Sequence, residues 1–418
     1  MKWNFDKDKR NVKPKDSSIK DFSKHLYQSA VREAIQNSID ATIKGERTIV
    51  KLRIFSAPKS HITDIDGLIE RIRKTKDYWK DNPAYVSLLD NMLDTYKSFN
   101  GQIPILEISD FKTNGMTLKH SSGDLRKSSY YGFSRGNNSV KSDENTGGSE
   151  GEGKAAYYAL SSLRTIFVHS VSKHGNIFEG LTRLGTHIYD RDYNSAYGYL
   201  GQTTELPLQD YYSIPRVFEN RGQYEWGTSI YVPGLWNKEN SNVELLKSVI
   251  NNFWLSIHEG NLEVDVNSQV LNRETLERAI ITHLPERKES NRAKSNPEEF
   301  GKSLCYYETW MERGDKSRVF KATLPHLGKV VFKISKHPDY PGKVAFFRKQ
   351  KMLILKSRVN QYISKGFCGV FICPDDEGNK NLQKMEGKAH TEWDPNYWTE
   401  NPNEGKAVLR KLHEYIKN

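Results

Sequence analysis

The sequence predicts an α+β protein folded in two parts, and three observations carry that prediction. Up to about residue 284, amphipathic helical patterns alternate with short apolar strands. Residues 285–300, opening Pro-Glu-Arg-Lys-Glu-Ser, have the composition of a linker. Beyond them, several strand-like runs precede one C-terminal helical pattern at 403–417. At 418 residues the chain has room for two or three domains. An aromatic content of 11% argues against disorder, although the mean hydropathy of −0.74 is polar.

The elements follow in order. Asp21 to Lys44 reads as one long helix, because Phe22, Leu26, Val31, Ile35, Ile39 and Ile43 recur at helical spacing and Gly45 can stop it. Residues 48–56 alternate as a strand, and helical patterns follow at 64–79 and 84–98. Pro104–Ser109 is a short apolar strand ending at Asp110. Residues 117–150 are rich in Ser, Gly, Asn, Lys and Arg with almost no aliphatics, which reads as a long loop. Gly151–Leu163 reads as a helix, 165–171, 176–183 and 226–232 as strands, and Val243–His258 as an amphipathic helix.

Composition excludes several classes. No apolar run approaches a membrane span, and the first residues lack the core of a signal peptide. Cys305, Cys368 and Cys373 are too few for a disulfide framework. The expectation is a cytoplasmic protein with no membrane partner. The net charge of +11 is concentrated: Arg313 to Lys365 holds 14 Lys/Arg against two acids. Phe320, Phe332, Tyr340, Phe346 and Phe347 are interleaved there, so the stretch is either a DNA-facing stripe or the solvated face of strands.

Three polar clusters carry chemistry. Within 30–41, Glu33, Asn37 and Asp40 fall on one helix face, with Val31, Ile35 and Ile39 opposite. A carboxylate there can take a proton from water, and an Asn carbonyl can ligate Mg²⁺. Asp110 ends a strand and is followed by Gly115, which suits a carboxylate accepting from an exocyclic amine beside a close backbone approach. Gly148, Gly151 and Gly153 precede Lys154 and an apolar helix, so bare N–H groups there could cradle phosphate, with Lys154 adding charge. The order is neither a Walker P-loop nor a Rossmann fingerprint.

Together and in this order, the residues resemble the GHKL ATPase superfamily of gyrase-type topoisomerases, ninety-kilodalton heat-shock chaperones, histidine kinases and MutL-type repair proteins. The resemblance leans toward its MORC-like or bacterial defence-associated members and covers residues 20–270. Glu-x-x-x-Asn-x-x-Asp-Ala is matched by Glu33, Asn37, Asp40 and Ala41. Asp-x-Gly-x-Gly followed by Met-Thr is matched by Asp110, Gly115, Met116 and Thr117, with the first glycine missing and one residue inserted. Gly148, Gly151 and Gly153 match Gly-x-x-Gly-x-Gly, and Gly227-Thr228 matches the Gly-Thr that enters a strand.

The resemblance implies a Bergerat-type α/β sandwich, a mixed sheet covered by helices, over 21–284. It implies an arm at 1–20, an ATP lid at 117–150, and after the 285–300 linker a smaller β-rich transducer-like domain at 301–418. It implies ATP and Mg²⁺ as ligands. Glu33 would polarise the attacking water, Asn37 would be the metal ligand, and Asp110 would read the adenine amine with Thr228 in support. Gly148, Gly151 and Gly153 would hold the phosphates, and Asp40 would help at the adenine end. Retention of Glu33 separates the chain from histidine kinases.

In the second part, Arg348 and Lys351 resemble the cation that a following domain lends to the γ-phosphate. Glu386, His390 and Asp394 would share a helix face and could ligate a metal, although Pro395 favours a loop. Cys368 and Cys373 lack a second pair for zinc. The expected function is a Mg²⁺-dependent ATPase switch or clamp. It would form an ATP-dependent homodimer and act on DNA or a separate effector protein, with bacterial anti-phage defence as the setting the resemblance suggests. The alternatives are an ATP-sensing adaptor with little turnover, and a basic nucleic-acid binder with a vestigial ATP site.

Overall fold

The computed structural model describes the chain apart from residues 137–152, 220, 236–239, 285–302, 314–315, 339, 359–365, 388–389 and 418. The elements run β1 (Asn4–Lys7), α1 (Ser17–Phe22), α2 (Leu26–Asp40), β2 (Thr48–Pro58), α3 (Ile65–Tyr78), α4 (Pro83–Ser98), β3 (Gln102–Phe111), α5 (Ser129–Arg135), α6 (Ala155–Leu160), β4 (Thr165–Ser172), β5 (Gly175–Arg183), β6 (His187–Tyr189), β7 (Asp192–Leu200) and β8 (Gly227–Pro233). They continue with α7 (Ser241–His258), β9 (Leu262–Val266), β10 (Gln269–Leu271), α8 (Leu276–His283), α9 (Ser303–Trp310), β11 (Arg318–Leu324), β12 (Gly328–Lys336), β13 (Lys343–Phe347), β14 (Leu353–Ser357), β15 (Phe367–Ile372), α10 (Asp376–Lys384) and α11 (Pro402–Lys417). The class is α+β. The chain divides into two compact units, Met1–Asn242 with Val264–Gln269, and Val243–Glu263 with Val270–Asn418.

The first unit is built on a sheet of order β1-β7-β5-β4-β8-β3-β2-β9, with β6 against β7. Strand alternation gives it two faces. Ile103, Ile105, Phe167 and Tyr231 join the buried side chains of α3 and α4, such as Leu68, Ile72, Leu89 and Met92, in one core. Leu106 and Ile108 take the opposite face, and so does Asp110 at the end of β3. Val31 and Ile35 of α2 are fully buried, each worth about 1.5–3 kcal/mol of hydrophobic burial. At the sheet edge, Gly180 and Gly198 leave notches filled by Trp3 and Phe5: a Cβ on Gly180 would stand 2.9 Å from the Trp3 ring, and one on Gly198 would run into Phe5.

Several elements differ from the sequence expectation. The single helix expected over 21–44 is two. The Ser23 hydroxyl donates to the Lys20 carbonyl at 2.7 Å and closes α1, and α2 starts at Leu26. It stops at Asp40 because Thr42 turns into a β-bridge with Thr113. The segment 117–150, read as a loop, contains α5, whose N-terminus is capped by Ser128 accepting from Tyr131 N–H at 3.2 Å. The helix expected over 151–163 is confined to α6, where Ser161 leaves to bridge Leu235. The linker 285–300 lies outside the described residues.

The second unit holds a five-stranded mixed sheet of order β11-β12-β15-β13-β14, parallel only between β13 and β15. Leu382, Met385, Val408 and Leu412 pack on Phe332, Phe346 and Phe371. Among the described residues, no helix is long and apolar enough to cross a membrane.

Candidate functional site

The sheet face beneath α2 gathers the sequence-predicted residues at one set of strand ends. Asp110 comes from the end of β3, Ser170 from the end of β4 and Thr228 from the start of β8. The register aligns Ser109 with Ser229 and Ser170 with Thr228. The Asp110 carboxylate accepts from Thr113 Oγ1 at 2.6 Å, the Thr228 backbone N–H at 2.8 Å and Ser38 Oγ at 3.1 Å. Hydrogen bonds to a charged group contribute about 1.5–3 kcal/mol each, so the group is firmly placed. The Thr228 hydroxyl meets Ser170 Oγ at 2.9 Å, and Ser170 Oγ accepts from Met116 N–H at 2.7 Å. Asp110, Met116 and Thr228 are thereby one network.

The altered second motif has a physical reading. Lys112 stands where the family pattern has its first glycine, and it holds φ +61°, the left-handed conformation a glycine adopts without strain. Gly115 follows at φ +63°, where a Cβ would strike the Val171 carbonyl. The Ala41 carbonyl accepts from Asn114 N–H at 2.9 Å and fixes this turn to the end of α2. Asp40, half-exposed, is the last residue of that helix.

On the α2 surface, Asn37 Nδ2 donates to Glu33 Oε1 at 2.8 Å. That leaves the exposed amide oxygen as the acceptor Asn37 presents, a group suited to a hard divalent cation. Gly153 is buried against Glu33: a Cβ there would displace the carboxylate from its present position. Gly148 and Gly151 lie outside the described residues.

Lys154 is placed differently from expectation. It is buried, and its Nζ donates to the carbonyls of Phe133, Ser134 and Gly136 at 2.6, 3.1 and 3.2 Å, at the C-terminal end of α5. A cation there suits the exposed carbonyls of a helix C-terminus. Burial, with Arg183 and Arg135 nearby, pushes its pKa down to about 7. Arg135 of the same helix forks onto the fully buried Glu179 at 2.5 and 2.6 Å, and Tyr130 donates to Glu179 at 2.8 Å. Helix α5 is therefore tied both to the sheet and to the residue after Gly153.

Sequence reasoning missed Ser38, Thr113, Ser170 and Arg221. Arg221 is 1% exposed, donates to the Asp110 carbonyl at 2.5 Å and lies over the Phe111 ring at 4.5 Å. Its guanidinium also donates to the nearby Glu225 carbonyl and Ser229 hydroxyl, but the contacts that tie it to the site, Asp110 and Phe111, come from a strand far away in sequence.

In the second unit five of the 14 cations of the basic stretch form ion pairs among the described residues. Arg313 pairs with Glu277, Lys333 with Glu312, Lys349 with Asp376, Lys351 with Glu259 and Arg348 with Glu386, all acids outside that stretch. Phe332, Phe346 and Phe347 are core residues, while Phe320 is exposed and stacks on Phe332. The described residues between Glu386 and Asp394 are not helical. Glu386 bridges Trp393 and accepts from Arg348 and His390, while Asp394 caps Asn396. Among the described residues, no three metal-ligating side chains cluster. Cys368 Sγ faces Cys305 Sγ at 3.2 Å, and Cys373 donates to the Leu327 carbonyl.

No family model matches the chain, and no curated protein matches it. Among solved structures, it is similar to two of the ATPase region of Saccharomyces cerevisiae topoisomerase II, one of them bound to ICRF-187 (dexrazoxane). Each is 10% identical over 83% of this chain and 73% of the other, with a TM-score of 0.37. At that identity and score the likeness carries no argument about function.

Proposed function

We propose that the chain binds Mg²⁺-ATP in its first unit and hydrolyses it, acting as a nucleotide-driven switch. The observation that carries the reading is a chain of contacts across almost 200 positions: Gly153 lies against Glu33, Glu33 accepts from Asn37, and the next residue, Ser38, bonds to Asp110, which also holds Thr228. Asp110, an acceptor held by three donors, reads the adenine amine, with the Thr228 hydroxyl in support. Gly153, with Gly148 and Gly151, offers backbone N–H groups to the phosphates. Glu33 takes the proton of the attacking water. Asn37 holds the metal, which when bound supplies charge neutralisation on the phosphates.

Of the two cations proposed for the γ-phosphate, Lys351 is the better candidate. Its pair with Glu259 is partly exposed and exchangeable, whereas Arg348 is sealed against Glu386. Homodimerisation on ATP, and action on DNA or an effector protein, belong to this proposal as its output. One observation favours the low-turnover alternative: a hydrogen bond from Asn37 already occupies Glu33 Oε1. Phosphate release and nucleotide affinity, measured together on the wild type and Glu33→Ala, separate the two. The hydrolase reading expects release to collapse while affinity holds; the adaptor reading expects the wild type to show scarcely any release.

A further inference from the structure

The second unit holds two thiols that the ATPase reading leaves unused. Helix α9 packs on β15 and β12, and Cys305 and Thr309, four residues apart on one face of that helix, are both buried. Cys368 is the second residue of β15, also buried, and is paired with Ser335 of β12 and Lys343 of β13. Its Sγ donates to Cys305 Sγ at 3.2 Å, across 63 positions of sequence. Cys373 is buried too, but it donates to the Leu327 carbonyl at 3.2 Å. Two of the three thiols thus meet each other, while the third bonds a backbone oxygen.

A thiol is a weak donor and a weak acceptor, so the contact adds little as a hydrogen bond. Its distance matters more. The sulfurs stand about 1.2 Å beyond the disulfide bond length of about 2.05 Å, a gap short enough for side-chain rotation to close. The frame around them is well packed: Tyr307 of α9 meets the rings of Trp254 and His258 edge-on. Lys356 lies over the ring of Tyr306, the neighbour of Cys305, at 4.9 Å, and a cation near a thiol favours the reactive thiolate. Burial and the adjacent Cys305 hold Cys368 protonated, and the Lys356 charge opposes them. With both sulfurs buried, a bulky oxidant has no approach, whereas a small hydroperoxide reaches them through local opening.

We infer that Cys305 and Cys368 form an oxidation site, which hydrogen peroxide converts into an internal disulfide that locks α9 onto β15. One sulfur, as thiolate, attacks a peroxide oxygen. The O–O bond breaks, and the departing hydroxide takes up the proton that the thiol gave, leaving a sulfenic acid and one water. The other sulfur attacks the sulfenic sulfur, the S–O bond breaks, and a second water leaves with the second thiol's proton. The two sulfurs lose two electrons and the peroxide gains them. The ring so closed contains β11 to β14, and closing it restricts the unfolded chain. The inference does not depend on the nucleotide site.

The test uses the full-length chain, reduced, cleared of reductant and exposed to hydrogen peroxide under native conditions. The intact mass falls by two hydrogen atoms, and a non-reducing digest contains one cross-linked species carrying Cys305 and Cys368. Thiols titrated in denaturant drop from three to one. The melting temperature rises by about 5 °C or more and returns on adding a phosphine reductant. Cys373→Ser gives the same cross-link and the same rise, whereas Cys305→Ala and Cys368→Ala each lose both. Three thiols surviving the treatment overturn the inference, as do sulfinic or sulfonic acids without a cross-link, a bond through Cys373, or a bond between two chains. A Cys305–Cys368 bond that leaves the melting temperature unmoved overturns the lock.

Discussion

The α2 face of the first unit and the basic stretch of the second are both dense in polar side chains, and folding treats them in opposite ways. On the α2 face, Glu33 and Asn37 bond to each other and stay at the surface, while Asp110 is braced by three donors at a strand end. In the basic stretch, Arg313, Lys333, Arg348, Lys349 and Lys351 are each taken by an acid. A site holds its polar groups in place and keeps one side open; a framework uses them up. Spacing on a helix survives folding as geometry, whereas a charge count is altered wherever acids from outside the stretch fold onto it.

The largest expected effects test each side of this contrast. Glu33→Ala should lower phosphate release by about 10²-fold or more, the usual contribution of a general base, with ATP affinity held within a few-fold. In the second unit, Glu386→Ala breaks a buried ion pair of Arg348 and should destabilise by about 3–5 kcal/mol in denaturant melts. Replacing both by Arg348→Met and Glu386→Leu should recover most of that loss. If Glu386→Ala is silent, the pair is no framework.

Next in size, Asp110→Asn should weaken ATP about tenfold or more by calorimetry, since one charged acceptor is lost to the base. A smaller effect belongs to Lys154. Its folded pKa of about 7 lies below its ordinary value of 10.5, so the unfolded chain binds more protons between those limits. Stability should therefore rise as pH is raised from 7 toward 10, and Lys154→Met should flatten that rise in thermal melts. Smallest is Lys321→Glu with Lys329→Glu, exposed residues that make no ion pair among the described residues. Melting should not move, and any duplex-DNA binding should lose about two units of its log–log salt slope. An unchanged slope would remove DNA from this hairpin.

How much was legible depended on the kind of signal. Glu33, Asn37 and Asp40 could be read because three- and four-residue spacing is a helix face, and Asp110 because an apolar run ended there. The break at Ser23 was hidden, since one side-chain hydrogen bond makes it. The helix Ser129–Arg135 was hidden because its Tyr, Ser and Gly read as loop, and Ser128, Arg135 and Lys154 hold it from outside. Strand β7, Asp-Tyr-Asn-Ser-Ala-Tyr-Gly-Tyr-Leu, owes its conformation to neighbours on both sides rather than to its own pattern. Arg221 and Ser170 acquire meaning only when β3, β4 and β8 align.

The notches at Gly180 and Gly198 have a consequence in time. Trp3 and Phe5, which fill them, are synthesised more than 170 residues earlier. At roughly 5–20 residues per second on the ribosome, these two aromatic side chains wait on the order of ten seconds or more for their sockets. This edge strand is made well before the strand it pairs with. Refolding of the full-length chain, where no such delay exists, should therefore outpace folding during synthesis at this edge, and a chaperone that holds Trp3 and Phe5 would matter only in the second setting.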